Sequence, residues 1–239
     1  MNSIESYANI EPITTKPIPK TVFIWLDILG FADALEDESR FSELAQMLNS
    51  FQSLFDSIDG CHTTIISDGL LLRIVNSRVD ALQETFQLIG EKQIQFILEH
   101  KIFIRGGIAL GSKLEDTSDD NNNLISQGLA RAAKLEASSI DWPVIATNEK
   151  NIKEIQDYFR AEDELFSLNP CFNRKGEKIF FIDFLNEPIT SYYNILNEKI
   201  NEYEKTPSVH SKYIWLLRHY HHKFSSTLRN ENRCQDEIW

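Results

Sequence analysis

The chain has 239 residues, enough to bury one good core and a helical annex. With 24 Lys+Arg against 36 Asp+Glu the formal net charge is -12, which argues against general nucleic-acid binding; an anionic substrate needs a local basic patch or a metal ion. Three cysteines, Cys61, Cys171 and Cys234, are odd in number and lack metal-ligand spacing, so a reduced, cytoplasmic protein is expected. The first 19 residues hold no apolar signal core, and no run approaches the ~20 apolar residues of a membrane span, so no membrane partner is expected.

Residues 1–19 carry Pro12, Pro17 and Pro19 with little periodicity and predict an irregular arm. Lys20 to Phe31, KTVFIWLDILGF, holds five consecutive apolar residues from Val22 to Leu26, as in a strand buried on both faces. The run ends in one carboxylate, Asp27, followed by Gly30-Phe31. Phe41, Leu44, Leu48, Phe51, Phe55 and Ile58 recur at helical spacing. Two β-type runs then flank Ser67-Asp68-Gly69; Asp-Gly between such runs predicts a hairpin with Asp68 at its tip. Arg78 to His100 is a second amphipathic helix, and KIFIRGGIALG a further strand. Strand, helix, two strands, helix, strand is the order of the ferredoxin-like split βαβ, an α+β fold.

Between Gly111 and Leu124 the polar run SKLEDTSDDNNN predicts a solvated loop, because Asp116, Asp119 and Asp120 lack calcium-loop spacing. A helix is predicted from near Ser126, a strand at Val144-Ile145-Ala146 and a last strand at Lys178 to Phe184. Residues 189–239 show two helical stripes, Tyr193, Leu196, Ile200, Tyr203 and then Tyr213 to Phe224, interrupted at Pro207. His219, His221 and His222 lie near the end of the second without Cys or carboxylate partners at ligand spacing. The expected organisation is an arm, 1–19, a catalytic domain, 20–185, and a helical extension, 186–239.

If the first strand pairs with the hairpin, Asp27 and Asp68 reach one sheet edge and form an all-oxygen site suited to magnesium or manganese. The plainer alternatives are that Asp27 caps the next helix and Asp68 shapes a turn.

Asp27-Ile28-Leu29-Gly30-Phe31, Ser67-Asp68, Arg105-Gly106-Gly107-Ile108-Ala109-Leu110-Gly111, Ala132-Ala133-Lys134-Leu135-Glu136 and Trp142-Pro143-Val144-Ile145 follow one another in an order that resembles the class III nucleotide cyclase catalytic domain. The resemblance covers about residues 20 to 185. Together with Lys212-Tyr213-Ile214-Trp215-Leu216, it extends to the pyrimidine cyclases of the bacterial Pycsar anti-phage system, which make cyclic UMP or cyclic CMP as a messenger for a separate effector.

The resemblance implies a ribonucleoside triphosphate substrate, two Mn2+ or Mg2+ ions held by Asp27, Asp68 and the Ile28 carbonyl, and phosphates cradled by the backbone amides of Leu29, Gly30 and Phe31. Arg105 would clamp the β- and γ-phosphates, with a strand-edge ion pair as its alternative. It also implies a head-to-tail homodimer with shared sites. Lys134 stands where the family's transition-state Arg stands, with Arg131 a competing cation, and Ala130 replaces a ribose-orienting Asn. Thr64 and Asn123 occupy the positions where adenylate cyclases of this type place a Lys and an Asp that read the purine. Both side chains donate and accept hydrogen bonds, which suits a pyrimidine. Uridylate cyclase activity on UTP is therefore expected, with cytidylate cyclase activity on CTP or a degenerate nucleotide-binding or dimerisation module as alternatives.

Overall fold

The computed structural model describes residues 20–75, 78–112, 126–161 and 168–236, with side chains as far as residue 225. The expected arm, the acidic loop with Asp116, Asp119 and Asp120, Asn123 and Cys234 lie outside the described residues or side chains.

Seven strands form one sheet: β1 (Lys20–Ile28), β2 (Cys61–Ile66), β3 (Gly69–Ile74), β4 (Ile104–Ser112), β5 (Ile145–Asn148), β6 (Leu168–Phe172) and β7 (Lys178–Ile182), in the order β2-β3-β1-β4-β5-β7-β6. The helices are α1 (Phe31–Leu35), α2 (Phe41–Asp56), α3 (Val79–His100), α4 (Gln127–Ser139), α5 (Glu149–Phe159), α6 (Thr190–Glu202) and α7 (Pro207–Asp236). β1 is an interior strand, antiparallel to both β3 and β4, while β4 and β5 run parallel with α4 between them. The first four strands and their helices are the expected ferredoxin-like βαββαβ core, with a helical annex at the C-terminus.

The pleat divides β1 between two layers. Val22, Ile24, Leu26 and Ile28 join a core with Leu44, Phe51 and Phe55 of α2 and Leu82, Phe86, Ile89 and Phe96 of α3. Phe23, Trp25 and Asp27 belong to the opposite face, where α4 lies. Gly107 of β4 sits against the Ala132 carbonyl, and an added Cβ would collide with that backbone; the glycine therefore lets α4 rest directly on the sheet.

A second apolar cluster joins β5 and β7 to the annex through Val144, Phe181, Phe184, Tyr192, Leu196, Tyr213, Leu216, Tyr220 and Phe224. Pro207, expected to interrupt the helices, is the first residue of α7, where its missing N–H leaves no carbonyl unpaired. Asp183, just beyond β7, fastens α7 in place. Its carboxylate takes hydrogen bonds from Lys223 and from the Asn169 amide, accepts from the Leu185 N–H at 3.1 Å, and lies 3.6 Å from His219 Nε2.

Among the elements that the structure adds to those expected are α5 and β6. α5 is capped by the Asn148 side chain, which accepts from the Asn151 N–H, and β6 is an edge strand that tolerates Pro170. The hairpin turn places Asp68 at the tip, as expected. Ile66 pairs with Gly69, so Ser67 and Asp68 form the loop, with Ser67 at φ 58°. Gly69 is needed for another reason: the Trp25 ring covers it and leaves no room for a Cβ.

Candidate active site

The β1 register fixes the geometry. Asp27 stands opposite Gly69 of β3 on one side and Arg105 of β4 on the other. Asp68 directly precedes Gly69, so both carboxylates come to one edge of the sheet, near enough for their charges to interact. Burial raises the Asp27 carboxyl above its ordinary value of 3.8; the Arg105 charge opposes this and the Asp68 charge adds to it. These are two carboxylates, oxygen donors only, whose repulsion a hard divalent cation relieves, and the pair therefore fits Mn2+ or Mg2+.

Arg105 is already engaged. Its Nη2 lies 3.6 Å from Asp27 Oδ2 and forms a short ion pair with Glu136 Oε1, and its Nη1 donates to the Ile140 carbonyl at 3.4 Å. Glu136 projects from α4 onto the sheet face, with its side chain 8% exposed. Burial raises its carboxyl, Arg105 pulls it down and Asp27 pushes it up. In this structure Arg105 bridges two carboxylates at the strand edge, the ion-pair alternative to a free phosphate clamp.

The other anticipated residues divide into two groups. Ile28, Leu29, Gly30 and Phe31 line a cavity of about 240 Å3 next to the Asp27 edge, shared with Phe103 and Tyr213. Within it the Leu29 N–H donates to the Phe103 carbonyl at 3.0 Å, so of the three amides expected to cradle phosphate this one is spent. Gly30 has φ 81° and precedes the five-residue α1. Thr64 is exposed on β2 at the sheet edge. Lys134 is exposed on α4, with no ion pair among the described residues.

Arg131, the competing cation, turns out to be a tie between elements. It donates to the Leu110 carbonyl at 2.9 Å, to Asn151 Oδ1 at 2.8 Å and to Glu154 Oε2 at 2.6 Å, linking α4 to β4 and α5. All three partners are internal, which leaves Lys134 as the unengaged cation of the two.

Two further residues stand at the site. Glu136 occupies the apolar stripe of α4 with Ala132 and Leu135, and a carboxylate at such a position signals a buried partner. Lys212, in the second turn of α7, is half-buried and within charge range of Asp27, Arg105, Arg174 and Asp141. Of the histidines, His219 pairs with Asp183 while His221 and His222 are exposed. Among the described residues there is no group of three or more His, Cys, Asp or Glu side chains that could hold a metal. No helix among the described residues is long and apolar enough to cross a membrane.

No family model and no curated protein matches the sequence. Among solved structures, the chain is similar to a bacterial light-regulated adenylyl cyclase, at 15% identity over 75% of this chain and 97% of that one, TM-score 0.49. It is also similar to the dimeric guanylyl cyclase domain of the RhoGC fusion protein of the aquatic fungus Blastocladiella emersonii, at 17% identity over 68% and 95%, TM-score 0.46. A third is an adenylate cyclase of Trypanosoma brucei in its monomeric state, at 12% identity over 71% and 90%, TM-score 0.47. Values this low carry no chemistry from those proteins to this one.

Proposed function

We propose that the protein is a nucleotide cyclase, a phosphorus-oxygen lyase that converts UTP to 3′,5′-cyclic UMP and pyrophosphate, and that the product is a messenger in bacterial anti-phage defence of the Pycsar kind. The observation that carries the catalytic reading is the β1 register, which brings Asp27 and Asp68 to one sheet edge beside the Gly30 turn.

In the reaction the ribose 3′-oxygen loses its proton and attacks the α-phosphorus, the bond from that phosphorus to the β-phosphate oxygen breaks, and pyrophosphate departs with the electron pair. Asp27, Asp68 and the Ile28 carbonyl would hold two Mn2+ or Mg2+ ions. Such ions, when bound, acidify the 3′-hydroxyl and neutralise the leaving pyrophosphate. Asp27 and Asp68 must both be ionised to serve, and the charge of Arg105 favours the ionised form of Asp27. Glu136 holds Arg105 against the sheet so that its guanidinium stays at this edge. By the resemblance, the Gly30 and Phe31 amides would meet the phosphates, and Thr64 and Asn123 would offer donor and acceptor groups to the pyrimidine edge. In the expected homodimer, the helix carrying Lys134 comes from the second subunit and its ammonium meets the charge that develops in the transition state.

The Arg105–Asp27 pair favours one competing reading, a domain that binds nucleotide without turning it over, because the guanidinium already supplies a counter-charge to the carboxylate that would have to hold a metal. Incubation of the protein with each of the four nucleoside triphosphates and Mn2+, with products separated by chromatography, distinguishes the two. Cyclic UMP and pyrophosphate are expected, both abolished by Asp68→Ala. A cyclic CMP product would reassign the base, equal turnover of ATP would remove the pyrimidine specificity, and nucleotide binding without pyrophosphate would leave only the binding module.

A further inference from the structure

We propose that Lys212 is a phosphate-binding residue: the C-terminal annex supplies, within the same chain, the free cation that holds the polyphosphate tail of the nucleotide at the Asp27 edge. The proposal rests on the cyclase reading for the identity of the substrate, while its chemistry, a point cation for a polyphosphate, rests on how α7 docks and on the charges around Lys212.

The first turns of α7 are locked against the site at two points. Ser211 Oγ and the Ser208 carbonyl accept hydrogen bonds from Arg174 Nη2, the latter at 3.0 Å. On the other side Tyr213 is buried, its ring 5.1 Å from that of Phe103, whose carbonyl holds the Leu29 amide. Lys212 lies between these anchors, so its placement is set by neighbours that cannot move without disturbing the Ile28–Phe31 turn.

Burial of an ammonium is unfavourable unless hydrogen bonds or counter-charges compensate. Lys212 is half-buried and makes no hydrogen bond and no ion pair with any described residue. Its neighbours do not absorb it: Arg105 already spans Asp27 and Glu136, and Arg174 is committed to Ser208 and Ser211. Both guanidiniums lie within charge range of Lys212 and repel it, against the attraction of Asp27 and Asp141. Three cations thus gather at one end of the sheet in a chain of net charge -12, and only the ammonium has all its donors free. A mobile point charge of this kind suits a polyphosphate tail, whose oxygens present no single planar fork. It takes the part that Arg105 would otherwise have to fill.

The test uses inorganic tripolyphosphate without divalent ions, titrated calorimetrically into the wild-type protein, Lys212→Gln and Lys212→Arg, alongside steady-state kinetics with whichever triphosphate the wild type consumes. Lys212→Gln is expected to weaken tripolyphosphate binding by roughly ten- to a hundredfold, the effect of one charge-assisted contact. It should raise KM by a similar factor with a smaller change in kcat, and Lys212→Arg should recover most of both. Unchanged tripolyphosphate affinity and KM in Lys212→Gln would overturn the proposal, as would a wild type that does not bind tripolyphosphate. Should Lys212→Gln fail to fold, amine acylation of the wild type read by mass spectrometry replaces it: tripolyphosphate must protect Lys212, and equal labelling with and without it counts against the site. Loss of the cyclase reading gives a different pattern, no triphosphate consumed while Lys212-dependent tripolyphosphate binding persists.

Discussion

Asp27 and Asp183 are both aspartates at a strand end, both largely buried, and both beside cations, yet their carboxyls move in opposite directions. Asp183 collects hydrogen bonds from Lys223, Asn169 and the Leu185 amide, with His219 close by. Burial alone would raise its carboxyl, but the His219, Lys223 and Leu185 contacts together hold it below 3.8. Asp27 has one guanidinium at 3.6 Å, shared with Glu136, and the like charge of Asp68 beside it. The difference lies in how many donors point at the carboxylate. A saturated carboxylate fastens helices; an under-supplied one, paired with another, leaves room for a cation to arrive.

The contrast is broken most severely at Asp68. Asp68→Ala is expected to lower turnover by roughly a thousandfold or more, as loss of a metal-binding carboxylate does, while the melting temperature holds or rises because the repulsion on Asp27 is gone. A thermal melt alongside the product assay checks both halves. Asp183→Ala should do the reverse in kind. It strips the partner from Lys223 and His219 and lowers the unfolding free energy by about 2–4 kcal/mol, seen as an earlier urea midpoint.

A pH series sharpens the comparison. The depressed carboxyl of Asp183 contributes stability above its unfolded value of 3.8, and that contribution is lost as pH falls through the folded-state value. Asp27 and Glu136, raised in the fold, act oppositely: their ionisation costs stability as pH rises through 3.8 and 4.5 respectively. Melting temperatures of wild type and Asp183→Asn should therefore differ most near neutrality and converge in acid. The smallest effect is expected for Glu136→Gln. With one carboxylate neutralised, Arg105 turns more fully to Asp27, whose carboxyl should titrate lower in a 13C NMR experiment.

The βαββαβ core was legible because its strands are short apolar runs and α2 and α3 carry clean helical stripes. Asp27 and the hairpin bearing Asp68 were legible for the same reason, and the Asp-Gly pair marked the hairpin with Asp68 at its tip. Gly69 serves the ring of Trp25, a contact across strands that local sequence does not encode. The tie that Arg131 makes to Glu154 was not legible, because Glu154 lies on α5, a helix with no expected counterpart in the sequence. Lys212 and Glu136 were visible only as members of short motifs, without a role of their own, since what they face is decided by how α7 and α4 dock.

The stacked pair of Trp142 and Trp215, 5.3 Å apart and within 4° of parallel, joins the loop before β5 to the α7 helix that carries Lys212. Arg174 covers one end of this stack and the His219 ring the other. A tilt of α7 would open the two indoles to water and shift their emission to the red, so the chain contains its own optical gauge of whether the annex is seated.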